Sequence, residues 1–115
     1  DPYVAQVRET VAAVLGRLGA GHDWRLGWQS RAGPVKWVGP GTHEVIAELA
    51  GAEAVVVVPV SFVSDHIETL YEIDLLFGAQ ARRARIRHFV RTASLDDDPD
   101  FIAVLAGLAA PFLAT

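Results

Sequence analysis

One stretch of this chain, Ser61-Phe62-Val63-Ser64-Asp65-His66-Ile67-Glu68-Thr69-Leu70-Tyr71-Glu72-Ile73-Asp74, gathers four acids and a histidine at spacings that matter chemically. At about 3.6 residues per helical turn, Asp65, Glu68 and Glu72 (i, i+3, i+7) line one face, with His66 beside the first turn. Like charges so placed repel, and a cation arriving at the helix start is one way to relieve them, because divalent metals take carboxylate and imidazole ligands. Asp65-x-x-Glu68 also reads as a capping box, in which acids satisfy free amides at the positive end of the helix dipole. The two readings are compatible.

The same stretch resembles the signature of the ferrochelatases, the enzymes that insert ferrous iron into a porphyrin at the end of haem synthesis. Residues 64–74 carry an uninterrupted match. Trp28-Gln29-Ser30-Arg31-x-Gly33-Pro34-Val35-x-Trp37-Val38-Gly39-Pro40 resembles a second loop of that family, and Asp1-Pro2-Tyr3 and Asp97-Asp98-Pro99-x-Phe101-Ile102 match flanking landmarks. The resemblance runs through the whole chain, in register. It implies the C-terminal domain of the enzyme over residues 1–115, with an N-terminal half and a strand preceding Asp1 lying outside this sequence.

By that resemblance, Glu68 is the metal-accepting and proton-abstracting residue, His66 and Asp65 orient it, and Glu72 continues an acidic path. Gln29, Ser30, Trp37 and Ser61 are the expected substrate-binding residues, with Trp37 an aromatic wall for the flat macrocycle; on sequence alone it serves equally as a lid over a core edge. Ferrous iron is a substrate, and no permanently bound cofactor is implied. The expected partners are the porphyrin, Fe2+ and the N-terminal half, with peripheral membrane contact through the full-length protein. Leu76 stands where the family usually has another acid, and Asp96 where Asn is common. Two alternatives are a small stand-alone tetrapyrrole metal chelatase of the cobalt/sirohydrochlorin type, and a non-catalytic porphyrin- or metal-binding module.

Composition sets bounds around these readings. The chain has 115 residues, about half apolar, with a formal charge of -4 that argues against nucleic acid as its main ligand. It has no cysteine, which removes disulfides and thiolate ligands and suits a cytoplasmic location. His22, His43 and His88 show no metal-ligand spacing. Arg82, Arg83 and Arg85 form a basic cluster that reads as a solvated face, with substrate propionates or anionic lipid as the other reading.

The elements that must position the acids follow from periodicity. Val4, Val7, Val11, Val14, Leu15 and Leu18 predict an amphipathic helix over 3–18. Alternation predicts a strand over 24–28, and Thr42 is an expected N-cap for a helix reaching 50. A strand over 54–58, apolar on both faces, leads into a helix over 65–84; a strand over 85–90 and a helix over 99–113 complete the chain. The fold class expected is α/β: a three-layer α/β/α half of chelatase type with a parallel sheet of three strands, or four with the strand preceding Asp1. Helical crossovers put the loops after these strands on one sheet edge, where ligands bind in open α/β folds.

Overall fold

A computed structural model describes residues 2–29 and 39–113. The order is α1 (Tyr3–Leu18), α2 (Thr42–Glu48), β1 (Ala54–Val57), a π-helix (Glu68–Phe77) running directly into α3 (Gly78–Arg83), β2 (His88–Arg91) and α4 (Pro99–Leu113). β1 and β2 pair in parallel, Ala54 opposite His88 through Val57 opposite Arg91. The connection between them is the long helical segment, as a parallel pair requires.

Two strands, not three, form the sheet among the described residues. The strand expected over 24–28 is absent: residues 21–27 have no regular structure, and Trp28 makes only a single parallel bridge to Gly41. Alternation suggests a strand, but a strand also needs a neighbour for its backbone groups, and among the described residues only Trp28 finds one. Its amide bonds the Pro40 carbonyl at 2.9 Å, and its carbonyl accepts from Thr42 N–H at 3.0 Å. The N-cap of α2 is consequently Gly41, in an extended conformation, and Thr42 is the first helical residue.

The core lies on one side of the sheet. Ile46 of α2, Ala81 of α3 and Ile86 are buried together, with Val55 and Phe89 from the two strands packed against them. The opposite face differs from the expected burial on both sides: Val56 and Val58 are 62% and 51% exposed. They border a groove of about 660 Å3 whose other wall includes Val11 and Leu15 of α1. α4 begins on a true side-chain cap, Asp98 Oδ1 accepting the amides of Asp100 (2.9 Å) and Phe101 (3.3 Å). Among the described residues, no helix is long and apolar enough to cross a membrane.

Candidate active site at the sheet edge

The chain leaves β1 into a loop whose backbone is bent at Ser61, a non-glycine residue with φ of 84°. Such a conformation is unfavourable for an L side chain and persists where neighbouring contacts hold it. One of them is the Tyr3 hydroxyl, 3.2 Å from Ser61 Oγ, so the start of α1 braces the turn. The strand after the helical segment delivers its own loop to the same place: Thr92 N–H bonds Val57 O at 2.9 Å, and Asp96 N–H bonds Val63 O at 2.8 Å. The loops following β1 and β2 therefore meet at one edge.

The helix that carries the acids starts later, and in a different form, than expected. Ile67 is its N-cap residue, without a side-chain cap, and its first ten residues are π-helical. Backbone bonds in a π-helix reach five residues back instead of four, as from Gly78 N–H to the Ile73 carbonyl. Each turn holds more residues, so those four and five apart share a face. Glu68 and Glu72 accordingly stay together, both half-buried, while Asp65 lies before the helix and leaves that row.

The Asp65 cap reading is corrected on the same evidence. Its carboxylate accepts from side chains: Ser94 Oγ at 2.9 Å, Thr69 Oγ1 at 3.2 Å, and Arg91 Nη1 at 3.1 Å. The bond from Ser94, with those from Thr69 and Arg91, holds the Asp65 carboxyl below its ordinary range despite some desolvation. Thr69 is fully buried. Its hydroxyl accepts from His66 N–H at 3.0 Å and shares its one proton between Asp65 Oδ1 and the His66 carbonyl at 3.1 Å.

His66 is oriented from both sides. Glu68 N–H donates to its Nδ1 at 3.2 Å, which makes that nitrogen the acceptor and puts the proton of a neutral ring on Nε2. The Phe62 ring packs against it in a T-shaped arrangement with centroids 4.4 Å apart. Gln29 arrives from the far side: its Nε2 donates to the Glu68 carbonyl at 3.1 Å and to Glu72 Oε2 at 2.9 Å. Gln29 thus spends its amide protons on the acidic helix, a role that its expected place in substrate binding did not include.

The structure brings together Asp65, His66, Glu68, Glu72 and Gln29, and sets Ser61 at the turn leading to them. Ser30 and Trp37 lie outside the described residues. Repulsion among the acids is relieved by protein groups, Gln29 on Glu72 and Arg91 on Asp65 and Asp74. Among the described residues, no three His, Asp or Glu side chains converge as a metal site. Sequence reasoning missed Phe62, Thr69, Arg91 and Ser94. Thr69, four residues after Asp65, was the one with a local signal.

Chemically, the arrangement is a pair of half-buried carboxylates on a widened helix, beside an imidazole of fixed tautomer, at the ligand-binding edge of a parallel sheet. Carboxylates and an imidazole so held are groups of the kind that exchange protons. The family model for ferrochelatase matches residues 1–111. The chain is 51% identical over 110 residues to the ferrochelatase of Geotalea uraniireducens (strain Rf4), covering 94% of this chain and 34% of that protein. It is 48% identical to that of Geotalea daltonii, with the same coverage, and 45% identical over 116 residues to that of Synechococcus sp. (strain RCC307), covering 99% and 30%. The chain belongs to the ferrochelatase family, and it spans about a third of the length of these relatives.

Proposed function

We propose that this chain supplies the metal-handling wall of a ferrochelatase, which inserts ferrous iron into a porphyrin, protoporphyrin IX or coproporphyrin III, in cytoplasmic haem biosynthesis. The observation that carries the reading is the pairing of Glu68 and Glu72 on one face of the π-helix, with Gln29 bridging the Glu68 carbonyl and the Glu72 carboxylate. The reaction exchanges two pyrrole protons for one Fe2+. A carboxylate can accept the ion as it sheds water, and can take a proton as the metal–nitrogen bonds form. Glu68 has that double role; His66 and Asp65 orient it, and Glu72 passes protons or metal along the helix. Iron is consumed as a substrate, with no resident cofactor.

Ser61, Ser30 and Trp37 contribute to porphyrin binding in this reading. The opposite wall of the cleft comes from the remainder of a protein of the relatives' length. That remainder also supplies a strand beside the parallel pair and completes a three-layer α/β/α half.

Glu68→Gln in the full protein is the test, because it removes the charge and keeps the shape. Zinc or iron insertion should be abolished while porphyrin binding, followed by fluorescence titration, stays near wild type. Turnover above about a tenth of wild type, a loss of less than about 1.4 kcal/mol in barrier, would refute the role given to Glu68.

A further inference from the structure

We propose that Arg91 is a positioning residue for the acidic helix, acting through Asp65 and Asp74; the inference rests on the reading of Glu68 as the reacting carboxylate. Arg91 is the last residue of β2, paired with Val57 of β1, so its backbone is fixed in the sheet. Its side chain is only 11% exposed, and its fork is used on two fronts. Nε and Nη2 donate to Asp74 Oδ1 and Oδ2 at 2.7 and 2.9 Å, and Nη1 lies 3.1 Å from Asp65 Oδ1 and 3.1 Å from the Thr92 carbonyl.

The two acids bracket the reacting groups. Asp65 lies in the loop just before the helix, and Asp74 lies two residues beyond Glu72 within it, so one planar guanidinium anchored in the sheet ties down both flanks of the segment bearing Glu68 and Glu72. A bidentate pair fixes direction as well as distance, which a lysine ammonium cannot reproduce. Both carboxylates remain over a third exposed (39% and 35%), so the contact contributes more to geometry than to stability. Geometry is what the chemistry is sensitive to, since a displacement of about 1 Å can cost on the order of a hundredfold in rate.

The test measures zinc insertion into porphyrin, with urea unfolding on the same samples, for Arg91→Met, Arg91→Lys, Asp74→Asn and Arg91→Met/Asp74→Asn in the full protein. Arg91→Met should lower kcat by about tenfold or more while KM for porphyrin changes less than about twofold. Arg91→Lys should recover only part of the loss. Asp74→Asn should lower kcat in the same direction, and the double variant should be little worse than Arg91→Met, because both changes break one contact.

Unchanged kcat in Arg91→Met and Asp74→Asn overturns the proposal. Full rescue by lysine also does so, by reducing the role to charge, as does a loss explained by the unfolded fraction alone. If Arg91→Met fails to fold, Asp74→Asn, which preserves size, decides by the same criteria. Glu68→Gln, run alongside, separates the failures: an active Glu68→Gln sinks the site reading, whereas an inactive one beside fully active Arg91 variants sinks only this inference.

Discussion

Gln29 and Glu72, 43 residues apart, are joined by a 2.9 Å hydrogen bond in which the amide also reaches the Glu68 carbonyl. One side chain thereby links the loop after Trp28 to two turns of the acid-bearing helix. Gln29→Leu keeps the approximate volume and removes both bonds, leaving Glu72 without this donor. A hydrogen bond to a charged group contributes about 1.5–3 kcal/mol, and partial exposure puts the expected loss at the lower end. Urea unfolding should register it, together with a kcat reduction; stability and turnover both equal to wild type would remove Gln29 from the site's framework.

Thr69 lies beneath that helix start, fully buried. Thr69→Val matches its shape and deletes the hydroxyl, stranding the His66 amide that donates to it at 3.0 Å. A buried donor left without a partner costs about 1–3 kcal/mol, so Thr69→Val should unfold at lower urea than wild type and Thr69→Ser should restore most of the difference. Destabilisation by Thr69→Ser with Thr69→Val near wild type would point to the methyl group instead of the hydroxyl.

The convergence of Asp65, His66, Glu68, Glu72 and Gln29 was legible because it depends on topology: an apolar run, a turn and a helical pattern put those residues at one sheet edge. α1 and α4 were legible to their boundaries, since each is set by local signals. The π-helix was not. Apolar spacing at i, i+3 and i+4 is read on the assumption of α geometry, and nothing in composition announces a bond reaching five residues back. Arg91 was equally silent, because a lone arginine at a strand end gains meaning only from Asp74, 17 residues away, and from Asp65. The strand over 24–28 failed for the converse reason: among the described residues its local pattern finds a backbone partner only at Trp28.

Burial separates the two sheet faces in a way that stability can check. Ile46 is 2% exposed at the centre of the core, whereas Val56 on the other face is 62% exposed. Ile46→Ala should cost about 2–5 kcal/mol through lost contacts and a residual cavity. Val56→Thr should stay within about 0.5 kcal/mol, as surface changes do. A large loss at Val56 would show that this face is covered in the protein as tested.

Asp65 gives the site an acid limit whose sign follows from its partners. Its carboxyl is held below the ordinary carboxylate value of 3.8, first by the Ser94 hydroxyl and then by Thr69 and Arg91, so folding favours its charged form. A group depressed on folding stabilises the fold fully above its unfolded value. That contribution is lost as pH falls from about 3.8 through the lower folded value. Arg91 is shifted upward, chiefly by its bonds to Asp74, so it stays charged throughout the acid range and adds no second limit there. Asp65→Asn, which cannot ionise, should be less stable than wild type at pH 7, and the gap should close as pH drops below about 3.8. Ser94→Ala removes the largest cause, so it should move the Asp65 carboxyl titration, followed by carbon NMR, upward toward the ordinary value. A gap that stays constant with pH, or a titration unmoved by Ser94→Ala, would show that these hydrogen bonds do not set the Asp65 charge.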